Sequence, residues 1–395
     1  MALVNKKITN EAVWAEVSLA ALAANYRRLR AASGDAELLA VVKADAYGHG
    51  AVACAPALVQ AGAQWLGVTD AVEGIAVRAA LPKNGPKSAR ILVMRGLLAE
   101  ECDAALNAGL TPGVWTLAQL GALEAAAIRL GVKEIAVHLE IDTGMSRQGV
   151  SLAELAKLLA RFTKGSPLKL EGVMTHFASA EDVASPKNAA QMKVFAQAVE
   201  QVRAAGLQPE WIHAGSTSTV DAGVALPGLR EIARGAKLMC RTGIGLYGYA
   251  LPLVGAASHL RGELEPVLAW KTQILSVQDV AAGARIGYSG SYTAGKPMRL
   301  ALLPVGYADG LRRELSNAGD VLIAGKRARI VGRVSMDVTI VDVTGIAGVN
   351  AGDEVAIFGT QGNERITADD HARIAETIPY EILCGIAARV SRSYS

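Results

Sequence analysis

Short apolar runs recur along about the first 240 residues, at intervals that suit alternating strands and helices. Their lack of polar positions is typical of strands buried on both faces, as in a parallel sheet. The runs are residues 38–42, 65–68, 91–94, 110–114, 135–141, 168–174, 211–212 and 238–239. Alanine- and leucine-rich stretches, such as 117–130 and 152–162, lie between them and predict helices. Eight such units predict a closed barrel of TIM type, with its chemistry at the carboxyl ends of the strands.

The pattern changes near residue 250. From residue 266 the runs are β-branched and alternating, and Gly, Asp and Asn interrupt them, which predicts an all-β domain. These runs include residues 299–304, 321–323, 328–334, 338–343 and 354–358. A chain of 395 residues exceeds what one hydrophobic core usually serves. We therefore predict an α/β fold of two domains, a barrel over residues 17–250 and a β domain over residues 251–395 together with residues 1–16.

Composition and charge exclude several classes of function. The net charge is +3, with no dense basic run and few aromatic residues, so nothing favours nucleic-acid binding. The longest uncharged run, residues 242–260, contains four glycines and Pro252 and cannot form a membrane helix. Residues 1–7 lack the charged-then-apolar order of a signal peptide, which favours a cytoplasmic protein.

The four cysteines are Cys54, Cys102, Cys240 and Cys384. They are far apart and form no CxxC pair, so the sequence contains no metal or redox motif built on cysteine. We expect four reduced thiols in the protein core and no metal site.

The first predicted strand is followed directly by a lysine. Lys43 closes the apolar run 38–42 and precedes a glycine-bearing turn that also holds Tyr47 and His49. A partly buried lysine has a lowered pKa, and its amine can attack a carbonyl. An isolated lysine at this place would simply extend its amine into water. The polar rings and glycines beside Lys43 favour a functional site.

Residues 40–50, AVVKADAYGHG, resemble the pyridoxal-phosphate lysine motif of alanine racemases. This resemblance implies a TIM-type barrel whose first strand ends at Lys43, with pyridoxal 5′-phosphate held covalently on that lysine and Tyr47 beside it. It implies a homodimeric enzyme that interconverts L-alanine and D-alanine and supplies D-alanine for peptidoglycan.

Four more segments of the barrel region resemble motifs of the same family. They are residues 141–149 (IDTGMSRQG), 175–178 (THFA), 213–219 (HAGSTST) and 241–248 (RTGIGLYG). The resemblance implies that Arg147 binds the phenolic oxygen of the cofactor, that His176 lies beside the cofactor and that Arg241 faces its pyridine nitrogen. Hydroxyl and amide donors for the phosphate would come from Thr217, Gly243 and Ile244. Arg147 is also a candidate for substrate binding.

This chain departs from the family at two places. Glu140 stands where the family often has a carbamylated lysine, and we expect its shorter carboxylate to supply part of that negative charge. A strand glutamate with an unrelated partner is the alternative. Ser216 replaces the usual Asn, and Thr217 replaces the usual Ser while keeping a hydroxyl.

The β domain carries the remaining motifs, residues 286–292, 303–310, 332–337 and 379–381. The resemblance implies that Tyr288 is the second catalytic residue and that Tyr380 binds the phosphate. It assigns Tyr307, Met336 and Asp337 to the substrate site. In the family the tyrosine and methionine enter the barrel of the partner subunit, which predicts a head-to-tail homodimer.

Racemisation removes a proton from one face of a carbon and returns one on the other, and two fixed bases do this without moving. We assign Lys43 to one face and Tyr288 to the other. Because a guanidinium cannot accept a proton, Arg241 would not favour a protonated pyridine nitrogen. Alternatives are a racemase for serine or other amino acids, a barrel-type pyridoxal-phosphate decarboxylase, a non-enzymatic pyridoxal-phosphate-binding protein and a barrel without cofactor.

Overall fold

The computed structural model describes residues 12–82 and 89–395. Residues 1–7, used above to argue against a signal peptide, lie outside these ranges. The chain divides into two compact units. Of these described residues, the barrel unit contains those within 20–46 and 50–265, and the β unit contains 12–19, Tyr47–His49 and Pro266–Ser395.

Eight parallel strands form a closed barrel, as the hydrophobic pattern predicted. The strands are Glu37–Val41, Trp65–Val68, Arg90–Val93, Thr111–Val114, Ile135–Glu140, Leu168–Met174, Trp211–His213 and Lys237–Thr242. Each pairs with the next, and the first closes on the last with Leu39 opposite Arg241. Nearly all residues of these strands are buried, which explains why the sequence shows them as apolar runs.

The segments between the barrel strands are mainly helical. The helices are Leu19–Ala32, Ala51–Gln60, Ala71–Ala80, Cys102–Asn107, Leu117–Leu130, Leu152–Leu159, Pro186–Ala204, Thr217–Ala222 and Leu226–Ile232, with 3-10 turns at Ala99–Glu101 and Ile244–Tyr247. The helix Leu117–Leu130 shows why its bounds were predictable. It starts at a capping box of Thr116 and Gln119 and ends at Gly131, whose φ is 66°. Within residues 12–82 and 89–395, every helix is too short or too polar to cross a membrane.

The β unit contains three sheets. The largest has the strand order Lys326–Arg329, Asp320–Ile323, Glu354–Gln361, Leu268–Gln273, Val13–Val17 and Ser391–Tyr394. A further strand, Glu364–Ile366, pairs with Glu354–Gln361. A second sheet joins Ser276–Val280, Met298–Leu303 and Thr339–Asp342, and a short ribbon joins Arg285–Ile286 to Tyr292–Thr293. The strand Val13–Val17 alternates fully, since Val13, Ala15 and Val17 are buried and the residues between them are partly exposed.

Three details differ from the expectations, two in the β unit and one among the cysteines. Two helices, Ala368–Ile374 and Pro379–Cys384, occur in the predicted all-β region because Thr367 caps the first and Pro379 opens the second. The run predicted over 328–334 stops being a strand at Arg329, and the chain turns at Gly332. The expectation of four core thiols was wrong for Cys384, which is exposed, whereas Cys54, Cys102 and Cys240 are buried.

Candidate active site

Lys43 begins a left-handed turn just past the first barrel strand. The four residues that follow it, Ala44 to Tyr47, have φ values between 51° and 55°, and none is glycine. The amide of Ala46 donates to the carbonyl of Val42 at 2.9 Å. A left-handed conformation costs an L-residue about 1–2 kcal/mol, so the backbone beside the half-buried Lys43 is strained.

Arg241 lies in the last barrel strand and is 9% exposed. Its Nη2 donates to the Thr175 carbonyl at 2.6 Å and lies 3.3 Å from His176 Nδ1. Its Nη1 lies 3.1 Å from His213 Nδ1. Arginine can only donate, so the Nδ1 atoms of both histidines are acceptors and carry no proton. The guanidinium is therefore fixed from two sides, beside the predicted site residue His176.

A chain of hydrogen bonds continues from His213 through the barrel. Its Nε2 must carry the ring proton, and it donates to His138 Nδ1 at 2.8 Å. His138 Nε2 then donates to Glu171 Oε2 at 3.2 Å. The other oxygen of Glu171 is paired with Arg90. The chain thus has a charged group at each end, with two neutral rings between Arg241 and Glu171.

The pKa values agree with these proton positions. Burial lowers the pKa of His138 and lowers that of His213 well below its ordinary value. Burial, together with the charges of Arg241, Arg147 and Lys43, lowers the pKa of His176 to about 3. Burial works to raise the pKa of Glu171, but hydrogen bonds from His138 and Arg90 outweigh it and lower that pKa to about 2. At neutral pH the histidines are uncharged and Glu171 is an anion.

The loop that carries Arg147 is held by the aspartate at its start. Asp142 Oδ1 accepts from the amides of Gly144, Met145 and Ser146 at 2.9 to 3.1 Å. The amide of Asp142 donates to the Val150 carbonyl at 3.0 Å and closes the loop. Arg147 is exposed on this fixed loop, and it lines the same small cavity as His176 and Glu140.

Glu140 ends the fifth barrel strand and is 5% exposed. Its Oε2 accepts from Gln148 Nε2 at 2.6 Å. Burial raises the pKa of Glu140, whereas the charge of Arg241, the hydrogen bond from Gln148 and the charge of Arg147 oppose this rise. Burial likewise lowers the pKa of Arg241, and Glu140 opposes it. Glu140 and Arg241 therefore stabilise each other's charged form.

The predicted phosphate residues lie close together at the last two strands. Thr217 Oγ1 accepts from the amide of Gly245 at 3.2 Å, so its hydroxyl hydrogen points to another acceptor. A Cβ on Gly245 would lie 2.7 Å from Thr217 Cγ2, which only glycine avoids. Thr217, Gly243 and Ile244 are all buried. Hydroxyl and amide donors this close together suit an anion.

In the β unit, Tyr47 and Tyr380 are neighbours, with ring centroids 5.8 Å apart. Burial raises the pKa of Tyr47, and Tyr380 and Cys384 add to the rise. Tyr47 is therefore a neutral phenol at any working pH. Tyr47 can therefore form hydrogen bonds but cannot act as a base.

The other predicted residues of the β unit are exposed. Tyr288, Met336 and Tyr307 expose 69%, 54% and 44% of their surface. The amide of Tyr307 donates to the Ser335 carbonyl at 3.0 Å, and the amide of Ala308 donates to the Met336 carbonyl at 3.0 Å. The backbone beside Tyr288 meets the same segment, since a Cβ on Gly287 would lie 2.9 Å from Arg333 N. Segment 332–336 therefore carries Met336 and contacts the backbone beside Tyr288 and at Tyr307.

Asp337 is tied to the protein itself. Its Oδ1 accepts from Arg389 Nη2 at 2.8 Å, and Arg389 Nε donates to the buried Asp309 at 2.7 Å. Asp309 in turn accepts from the amide of Gly306 at 2.9 Å, next to Tyr307. This arrangement fixes the loops that carry Tyr307 and Met336.

The structure thus brings Lys43, Arg147, His176 and Arg241 into one electrostatic group in the barrel unit. Sequence reasoning did not assign roles to His138, Glu171, His213 or Gln191. Gln191 donates to the His176 carbonyl at 3.0 Å and accepts from the Ala178 amide at 2.9 Å. His138, Glu171 and His213 are polar residues within or at the end of otherwise apolar strand runs, and this pattern could have indicated that each has a buried polar partner.

Both parts of the chain match known families. Residues 17–251 match the alanine racemase N-terminal domain, and residues 267–394 match the alanine racemase C-terminal domain. An alanine racemase of Symbiobacterium thermophilum is 40% identical over 382 residues, which is 96% of this chain and 96% of that protein. An alanine racemase of Halothermothrix orenii is 36% identical and covers 99% of this chain and 98% of its own length.

Solved structures give the same result. The alanine racemase of a D-cycloserine-producing Streptomyces lavendulae superposes with a TM-score of 0.87 at 32% identity, covering 98% of each chain. The alanine racemase of Bartonella henselae, solved with covalently bound pyridoxal phosphate, has a TM-score of 0.81 at 29% identity and covers 97% of this chain and 99% of that one.

Proposed function

The chain belongs to the alanine racemase family, and we propose that Lys43 and Tyr288 are the two bases that move the proton. The enzyme interconverts L-alanine and D-alanine with pyridoxal 5′-phosphate. One observation carries the assignment of the site. Lys43, at the carboxyl end of the first barrel strand, shares an electrostatic environment with Arg147, His176 and Arg241.

The residues of the barrel unit fit this cofactor. Three cations, Lys43, Arg147 and Arg241, outnumber the buried carboxylate of Glu140, which suits an anionic ligand. The compact cluster of Thr217, Gly243 and Ile244 suits its phosphate.

Each residue has a distinct task toward the cofactor. Lys43 would hold it covalently, Arg147 would bind its phenolic oxygen, and Arg241 would donate to its pyridine nitrogen, from which a guanidinium cannot accept a proton. Tyr380 would bind the phosphate, and its neighbour Tyr47 would lie beside the cofactor. When bound, the cofactor withdraws electrons from the α-carbon of the substrate and makes its hydrogen acidic.

Two fixed bases then complete the racemisation. Once the amino group of the substrate has replaced it on the cofactor, the freed amine of Lys43 would take or return the proton on one face of the α-carbon, and the phenol of Tyr288 would do so on the other. His176 and Arg241 poise the phenol of Tyr288, because the neutral imidazole of His176 accepts from the guanidinium and keeps its Nε2 proton for donation.

Tyr288 reaches its substrate in a head-to-tail homodimer. The barrel domain of residues 17–250 binds the cofactor, and the β domain of residues 251–395, with residues 1–16, completes the partner's site. The exposed set Tyr288, Tyr307 and Met336 supports this arrangement, because large apolar side chains rarely cluster on a solvated surface without a partner. Asp337 belongs to the same site through its bond to Arg389.

The physiological role follows from the reaction. D-alanine produced in the cytoplasm supplies peptidoglycan synthesis, and expression in a D-alanine auxotroph tests this by restoring growth.

Turnover of L-alanine, L-serine and basic amino acids should be measured side by side. We expect L-alanine to have the highest kcat/KM; a higher value for serine would favour the serine racemase, and release of carbon dioxide would favour the decarboxylase.

Glu140→Gln tests whether the strand carboxylate supplies the negative charge beside Arg147 and Arg241. Without this anion the two guanidinium groups lose the charge that orients them toward the cofactor, so we expect cofactor affinity and kcat to fall about tenfold even though the net positive charge of the site rises. The affinity is measured by titrating cofactor-free protein with pyridoxal phosphate. Glu134→Gln, which removes an exposed partner of Lys169 in the same unit, is the matched control. Equal affinity and turnover in Glu140→Gln and wild type would show that Glu140 has only a structural role.

A further inference from the structure

The carboxylate of Glu73 joins two loops at the carboxyl end of the barrel. Glu73 is the third residue of the helix Ala71–Ala80, whose N-cap is Asp70. Its Oε2 accepts from the amide of Thr69 at 2.7 Å, and its Oε1 accepts from the amide of Ala44 at 2.8 Å. Ala44 is 29 positions away in the chain and directly follows Lys43.

A glutamate at this helix position usually has a local task. In a capping box its side chain accepts from a backbone amide at the start of its own helix. The bond from Thr69 is of this local kind. The bond from Ala44 is not, because it belongs to a different strand–helix unit and does nothing for the helix that carries Glu73.

The amide bound by Glu73 opens the left-handed turn of residues 44–47. The turn is also tied to the chain that follows it, since Asp45, its second residue, accepts from the amide of Gly50 through its carbonyl and from the amide of Ala51 through its Oδ1, at 2.8 Å each. The strained segment is therefore held on both sides. Glu73 is the acceptor on the side next to Lys43.

We propose that Glu73 is a positioning residue that fixes the backbone beside Lys43 and so sets the place of its amine over the substrate. The proposal rests on the role of Lys43 as a base. A shift of the order of 1 Å in a reacting group can reduce the rate by about a hundredfold. Because Tyr288 is on a different part of the chain, the effect falls on the face of the substrate that Lys43 serves.

Glu73→Ala and Asp70→Ala separate this role from helix capping. Both remove one capping bond from the same helix start, but only Glu73→Ala removes the acceptor for Ala44. The first measurement is amide hydrogen exchange of the peptide covering residues 44–48 in the holoenzyme. We expect exchange about tenfold faster in Glu73→Ala than in wild type, and wild-type exchange in Asp70→Ala. The nearly isosteric Glu73→Gln, which keeps one acceptor oxygen, should lie between wild type and Glu73→Ala.

The second measurement is loss of α-deuterium from each enantiomer of alanine into solvent. The enantiomer served by Lys43 is the one whose exchange survives in Tyr288→Phe. We expect Glu73→Ala to slow that exchange about tenfold more than exchange from the other enantiomer. Equal slowing of α-deuterium exchange from both enantiomers would show that Glu73 acts only as a helix cap. Equal amide hydrogen exchange of peptide 44–48 in Glu73→Ala and Asp70→Ala would lead to the same conclusion. A Lys43→Ala protein that still binds the cofactor covalently would instead overturn the assignment of Lys43, which keeps the two failures distinct.

Discussion

Lys43→Ala is expected to lose the covalent bond to pyridoxal phosphate and to lower racemase turnover by about 10⁴-fold or more. In the proposed assignment, the substitution removes both the amine that holds the cofactor and one of the two bases. The other proposed cofactor contacts, among them Arg147 and Thr217, remain, so we expect the variant to fold and to bind the cofactor noncovalently. Borohydride reduction followed by mass spectrometry measures the covalent bond, and the visible absorption band of the holoenzyme should be absent.

Lys237→Ala is the matched control for this substitution. Lys237 begins the last barrel strand and pairs with Glu210 at 3.0 Å, and its side chain is largely exposed. Its removal should leave the covalent mass and turnover unchanged. Covalent attachment that persists in Lys43→Ala would place the cofactor on another lysine and contradict the assignment.

Tyr288→Phe is expected to lower racemisation by about 10²- to 10⁴-fold, because the phenylalanine ring can neither take nor give a proton. The two enantiomers of alanine have equal free energies, so kcat/KM must fall by the same factor in both directions. The informative measurement is loss of α-deuterium into solvent. Exchange should persist from the enantiomer served by Lys43 and nearly stop from the other.

Tyr292→Phe provides the control, since Tyr292 follows closely in the same ribbon and is only partly exposed. It should retain wild-type exchange from both enantiomers. Exchange from both enantiomers that falls equally in Tyr288→Phe would mean that this phenol supports the site without being a base.

The barrel could be predicted from the sequence because its strands are buried on both faces. The run 38–42 is entirely apolar, and the structure places a strand over Glu37–Val41. The left-handed turn after it could not be predicted. Residues 44–47 contain no glycine, and local preferences disfavour this conformation. One of the groups that hold it, the Glu73 carboxylate, is 29 positions away from Ala44, and no local pattern reveals that contact.

The chain from Arg241 to Glu171 was missed for a related reason. His138 and Glu171 lie inside strands whose other residues are largely apolar. In sequence, His138 is 33 positions from its partner Glu171 and 75 positions from its partner His213. A buried polar side chain signals a partner but does not identify it. The closed barrel, which brings the fifth, sixth and seventh strands side by side, determines which groups meet.

The role of the exposed Tyr288 in the β unit could not be predicted from the hydrophobic pattern. The motif around Tyr288 is recognisable by resemblance, but neither hydrophobic pattern nor propensity explains a tyrosine in a Gly/Ser turn. The structure shows Gly287 with φ 73° and Ser289 with φ 60°, a strained turn that presents Tyr288 outward. Its proposed task depends on a second copy of the chain.

The most direct test of the two-base account uses purified mixed dimers in which one subunit carries Lys43→Ala and the other Tyr288→Phe, isolated with two affinity tags. Each parent dimer lacks one base at both sites. A mixed dimer should combine Lys43 of one chain with Tyr288 of the other at one of its two sites. We expect about half of the wild-type turnover from the mixed dimer, whereas activity no higher than that of the parents would contradict the shared active site.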